Sequence, residues 1–138
     1  MLMTPAPDPR RDEAGYLDQY VRAARVYAGA GAEFDAAAAW AQGLAAVRRA
    51  YDPAGFARQL AAVVASGDRR GMLRGIAAPT LVIHGADDPL VRPEAGREVA
   101  VTVPGARLML VAGMGHELPA RHEARIAAAI AQQVLQAA

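Results

Sequence analysis

An α/β fold is what the sequence predicts: a helical segment leading into a β-α-β-α unit with two parallel strands. Three observations carry this. Apolar residues of the first half recur at spacings of three and four, two short apolar runs rich in branched residues lie in the second half, and one helix-length segment separates those runs. The division expected is 1–75 for the helical segment and 76–138 for the β-α-β-α portion.

Residues 1–10 are rich in proline and read as an irregular lead-in. From Asp12, the apolar stripe Leu17, Tyr20, Val21, Ala24 and Tyr27 marks a first helix. A break at Gly29 and Gly31 separates it from a second stripe, Phe34, Ala37, Trp40, Leu44, Val47 and Tyr51. A third helix begins at Asp52-Pro53, where the carboxylate can cap free amides and proline suits the first helical position. Its stripe is Phe56, Leu60, Val63 and Val64, and Gly67 is placed to end it. The character changes after Ala78-Pro79. Residues 80–83, Thr-Leu-Val-Ile, have the form of a strand buried on both faces of a parallel sheet. Pro93 opens a helix reaching about Val103, Pro104-Gly105 turns the chain, and residues 108–111, Leu-Met-Leu-Val, form a second strand. The glycine-rich loop Gly113-Met-Gly-His116 follows, then a last helix over about residues 121–136 with Ile126, Ile130 and Val134 on one face. Strand, helix and strand within about thirty residues make a βαβ unit.

Bulk properties exclude several functions. The 138 residues carry 15 basic and 14 acidic side chains, a net charge of +1, and the arginines occur at most in pairs. Nucleic acid is therefore not an expected partner, because phosphate binding needs a clustered basic surface. Cysteine is absent, which excludes disulfides and thiolate metal sites. The amino terminus lacks the basic start and apolar run of a signal peptide, and no stretch reaches the roughly 18 apolar residues of a membrane helix. A cytoplasmic chain with no membrane partner is expected.

Parallel neighbouring strands end on one side of their sheet, and sites of open α/β sheets gather there. The loop after the first strand, His84-Gly-Ala-Asp-Asp-Pro89, thus meets the loop holding His116. A carboxylate that pins an imidazole fixes its tautomer and stabilises the imidazolium formed when it takes a proton, which is what a base for a hydroxyl nucleophile requires.

Two segments carry a family resemblance. Pro79-Thr-Leu-Val-Ile-His-Gly-Ala-Asp-Asp-Pro-Leu-Val91 is similar to the seventh-strand segment of α/β-hydrolases, where Gly-x-x-Asp-Pro supplies the triad acid. Pro104-Gly-Ala-Arg-Leu-Met-Leu-Val-Ala-Gly-Met-Gly-His116 resembles the eighth strand and the loop with the triad histidine. The resemblance spans about Gly75 to the carboxyl end and implies Asp88 as acid and His116 as base, in the family's order. The helical half resembles a cap domain, most like small esterases of the aclacinomycin-methylesterase type, on the stretch Tyr51-Asp-Pro-Ala-Gly-Phe-Ala-Arg-Gln-Leu60. The fold implied is a partial α/β-hydrolase.

The departure is the nucleophile. The single serine, Ser66, stands in Val-Ala-Ser-Gly-Asp at a helix end rather than in Gly-x-Ser-x-Gly between a strand and a helix, and Thr4, Thr80 and Thr102 are not in that setting either. No early His-Gly loop for an oxyanion hole is seen. The expectation is a carboxyl-terminal fragment of a serine hydrolase of esters or related acyl compounds, inactive alone. The alternative is a non-catalytic interaction module, or a split-enzyme half that pairs with an amino-terminal hydrolase half or with itself. The substrate of the intact enzyme would be a small-molecule ester, with no cofactor. Asp87 reads as a solvated turn residue, His84 as a packing or turn residue, and His122 as a surface residue. His116-Glu117 lacks the second histidine of the zinc-protease pattern, and a metal at His84, Asp87 and Asp88 is not expected.

Overall fold

The computed structural model describes residues 6–29 and 33–137, so Thr4, Gly31 and the first half of the expected lead-in lie outside the described residues. Six helices and two parallel strands occur among the described residues: α1 (Glu13–Tyr27), α2 (Ala36–Arg49), α3 (Pro53–Ser66), α4 (Arg70–Arg74), β1 (Leu81–Gly85), α5 (Pro93–Thr102), β2 (Arg107–Val111) and α6 (Ala120–Ala137). They form two compact units. One comprises residues 1–26 and 33–67; the other comprises 27–32 and 68–138.

The first unit is helical because its caps and stripes agree. Asp35 caps α2 by accepting the Ala38 amide at 2.9 Å, and Asp52 caps α3 by accepting the Ala54 amide at 3.1 Å ahead of Pro53. Gly67 closes α3. Leu17 and Ala24 of α1 are buried with Ala39 and Gly43 of α2, and Gly43 lies directly against Tyr20 and Leu17. Tyr51 meets Tyr16 edge to face at 6.0 Å between ring centroids. The α3 stripe buries nothing. Phe56 is 76% exposed, and Leu60, Val63 and Val64 are also open to solvent. Apolar periodicity marked the helix correctly but not a covered face.

In the second unit β1 and β2 pair in parallel, with Leu81 opposite Arg107 and Gly85 opposite Val111. Successive side chains of a strand point to opposite faces. Ile83, Met109 and Val111 pack with Ile126 of α6 and Met114, whereas His84 packs against Gly96 of α5. The two helices therefore cover opposite faces of the sheet, giving three layers. The short α4, which packs on α5, has no counterpart in the expectations from sequence.

The first strand was expected to be buried on both faces, and this needs correction. β1 is half-buried until Gly85, and β2 begins exposed at Arg107 and Leu108 and becomes fully buried only at Val111. With two strands and one helix per face, cover is complete only at the carboxyl ends. The α6 face follows the same gradient, with Ile126 buried and Ile130 and Val134 exposed. The packed end of the sheet is the end that carries the site.

Candidate active site

Asp88 sits in the loop after β1 and is 7% exposed, the one buried charged residue among those described. Its Oδ1 accepts the amides of Leu90 at 2.8 Å and Val91 at 2.9 Å, so the loop wraps its own backbone around the carboxylate. Its Oδ2 stands 2.8 Å from Nδ1 of His116, in the loop after β2. Parallel register delivers this meeting, since Gly85 and Val111 end their strands side by side.

The charge state follows from these contacts. Burial, the largest single influence, pushes the Asp88 carboxyl up; the Val91 amide, the His116 ring and the Leu90 amide outweigh it and hold it below the ordinary 3.8. An ionised carboxylate only accepts, so Nδ1 of His116 carries the proton and donates it. The lone pair of a neutral ring is then on Nε2, which has no hydrogen-bond partner among the described residues, on a side chain 43% exposed. The neighbouring Glu117 carboxyl is pushed up by burial, against the opposing pull of His116.

A stability consequence has a definite sign. A carboxyl whose value is depressed on folding stabilises the native state above its unfolded value, and that contribution is lost as pH falls through the folded one. Asp88→Asn is expected to lower stability at pH 7 by up to about 1.5–3 kcal/mol, the range for a hydrogen bond to a charged group. The gap between variant and parent should narrow as pH falls below about 4. Urea midpoints across that range check it. Asp8 and Asp68, held at about 2 chiefly by side-chain hydrogen bonds from Arg10 and Arg70, titrate in both proteins and cancel from the difference.

His84 occupies the turn. Its Nε2 lies 2.9 Å from the Val91 carbonyl and 3.6 Å from Asp88 Oδ2, so the ring braces the loop that holds the carboxylate. Asp87 is exposed and gives its amide to the Met114 carbonyl at 3.0 Å. His122 is half-buried rather than fully at the surface, with Nε2 accepting from Arg121 Nε at 3.0 Å. The Ser66 hydroxyl donates to the Ala62 carbonyl at 2.7 Å, a helix-end bond. Thr80 and Thr102 likewise donate to local carbonyls, of Ala78 and Glu98. Among the described residues no three His, Cys, Asp or Glu side chains gather as metal ligands, and no helix is long and apolar enough to cross a membrane.

Sequence reasoning missed what holds the histidine loop in place. The Tyr27 carbonyl accepts the His116 amide at 2.7 Å and the Glu117 amide at 3.4 Å, and the Ala28 carbonyl accepts the Gly115 amide at 3.1 Å. The backbones approach so closely that a Cβ on Gly115 would overlap the Tyr27 carbonyl oxygen and lie 2.5 Å from the Gly29 nitrogen. A Cβ on Gly85 would overlap the Gly115 and Met114 carbonyl oxygens. These glycines were the available signal, because glycine permits a close backbone approach that any side chain would block.

A three-layer unit with a buried aspartate and a histidine at the tips of adjacent parallel strands is the arrangement expected of an α/β-hydrolase. Residues 57–137, more than half of the chain, match the family described as TAP-like protein, and the chain belongs to that family within the α/β-hydrolase superfamily. It is also similar to Rv0554 from Mycobacterium tuberculosis, at 33% identity over 51% of this chain and 26% of that one, with a TM-score of 0.48. The match thus spans about a quarter of the length of that protein.

Proposed function

We propose that this chain supplies the acid and the base of a serine-hydrolase triad, and that the serine they serve comes from outside these 138 residues. The single observation that carries the reading is the 2.8 Å contact between Asp88 Oδ2 and His116 Nδ1, made by a buried carboxylate whose other oxygen accepts two backbone amides. In this reading Nε2 of His116 takes the hydroxyl proton as the serine oxygen attacks an acyl carbonyl. It then returns that proton to the leaving alcohol, which leaves an acyl-enzyme, and water repeats the cycle. Asp88 stays ionised throughout and holds the imidazolium. A small-molecule ester is the proposed substrate class, in keeping with the resemblance to small esterases of the aclacinomycin-methylesterase type read from residues 51–60.

Ser66 is not the nucleophile of this reading, since it stands at a helix end and donates to its own helix. The chain alone is therefore expected to give no hydrolysis of p-nitrophenyl acetate that depends on His116. Turnover at an enzymatic rate by the purified chain, lost in His116→Ala, would contradict the missing-serine reading.

A second reading is favoured by the uncovered apolar side chains. Phe56, Val63, Val64, Val134 and Leu135 are each more than half exposed, and a two-stranded sheet has open hydrogen-bonding edges. A non-catalytic module that pairs with another chain fits these features. Size-exclusion chromatography with a candidate hydrolase half separates the readings: a stable complex without His116-dependent turnover favours the module, and a complex with it favours the relay.

A further inference from the structure

We infer that Tyr27 is a positioning residue for His116, fixing the plane of the imidazole as Asp88 fixes its tautomer. The inference rests on the relay reading above but names a residue that neither motif contains.

One hydrogen bond sets a distance and leaves a ring free to swing about it. The Asp88 carboxylate touches His116 only at Nδ1, and the side chain is 43% exposed, so solvent offers no restraint on the other edge. The Tyr27 ring stands edge-on to the imidazole, 6.2 Å between centroids at 62°, within the range where aromatic pairs attract. The same residue holds the His116 backbone, because its carbonyl accepts the His116 amide at 2.7 Å. Backbone and ring of His116 are therefore referenced to one residue, and Nε2 is aimed in one direction. A base must be held within about 0.5 Å and 10–20° of its productive geometry for proton transfer to be efficient.

The backbone around Tyr27 is built into the same unit as the base. Although Tyr27 ends α1, residues 27–29 belong to the compact unit of the strands and not to that of the preceding helix. The segment is recruited to the histidine loop, where the Ala28 carbonyl accepts the Gly115 amide and no room remains for a Cβ on Gly115. A tyrosine whose ring served only to fill space would not need its backbone built into the turn carrying the base.

The test uses the full chain, with nuclear magnetic resonance of the His116 ring in the parent, Tyr27→Ala and Tyr27→Phe. In the parent, ring protons of Tyr27 and His116 should show a nuclear Overhauser effect. Tyr27→Ala should speed exchange of the His116 Nδ1 proton with water by about two- to tenfold, the worth of an edge-to-face aromatic pair, and should shift the imidazole proton signals as the ring current is lost. Tyr27→Phe should restore both, because the edge contact needs the ring and not the hydroxyl. Unchanged exchange and shifts in Tyr27→Ala, or a Tyr27→Phe variant indistinguishable from Tyr27→Ala, would overturn the role. If circular dichroism shows Tyr27→Ala unfolded, the parent and Tyr27→Phe decide: the Overhauser effect with parental exchange in Tyr27→Phe supports the role, and its absence from the parent removes it. A parent that lacks an Asp88-dependent Nδ1 proton removes the relay reading itself, an outcome separate from an intact relay that ignores Tyr27.

Discussion

His116→Ala should abolish turnover, by about 10⁶-fold in kcat, once the chain is joined to or mixed with a hydrolase segment that supplies the serine elbow. The size follows from the division of labour in the relay. Without the imidazole no group within reach takes the hydroxyl proton, and what remains is binding and any oxyanion donors on the supplied segment. Asp88→Asn should cost about 10⁴-fold instead, because an amide can present its N–H₂ to Nδ1, which turns the ring into the wrong tautomer while leaving the base in place. The Leu90 and Val91 amides can still bond the amide oxygen, so the loop should persist despite the lower stability, and the lost rate should come from the wrong tautomer rather than from unfolding. The double variant should be no worse than His116→Ala, since the aspartate acts only through the histidine. Rates for the three variants, measured with a p-nitrophenyl ester under saturating partner, check the order. A His116→Ala enzyme with more than about a thousandth of parental kcat would show that another base serves.

Gly115→Ala should be strongly destabilising to the second unit, as severe a clash as the one a methyl at Gly85 would meet. The added carbon would overlap the Tyr27 carbonyl oxygen and sit 2.6 Å from the Ala28 carbonyl carbon, so every obstacle is backbone and none can swing aside. Forced overpacking costs about 1–3 kcal/mol, and each amide bond pulled out of line at Tyr27 or Ala28 adds about 1 kcal/mol. A total near 3 kcal/mol or more is expected, a large fraction of the stability of any domain this small. Gly71→Ala is the control. Its Cβ meets nothing within 4 Å, and it lies inside α4, where alanine is the better helix former by up to about 1 kcal/mol. Denaturant unfolding of the two variants should therefore show opposite signs. A Gly115→Ala chain as stable as its parent would mean that residues 27–29 do not seat the histidine loop.

Much of the second unit was legible in the sequence because its signals are local. Residues 80–83 and 108–111 are short apolar runs bounded by proline and glycine, and Asp88-Pro89 and Gly-Met-Gly-His116 sit directly after them. Parallel pairing then brings acid and imidazole together without further information. The boundaries moved by one or two residues, as β1 runs on through His84 to Gly85.

Burial was less legible. The same apolar runs would be fully buried in a wide sheet and are half-exposed in a two-stranded one, and nothing in five residues reports how many neighbours a strand has. The α3 stripe misleads for the same reason: periodicity reports a helix and an apolar face, not what covers it. The role of residues 27–29 was hidden by distance along the chain. Tyr27 fits a helical stripe, and only its partner far downstream reveals that its carbonyl and ring serve the histidine loop. Glycine at 85 and 115 hinted at a close approach without naming what approaches.

The relay is tested most directly by the nitrogen-15 spectrum of the His116 ring in the intact chain, recorded where the ring is neutral and compared with Asp88→Ala. A protonated Nδ1, an unprotonated Nε2 and a slowly exchanging Nδ1 proton that disappears in Asp88→Ala are the expected result. A ring protonated on Nε2, with a spectrum indifferent to residue 88, would contradict it.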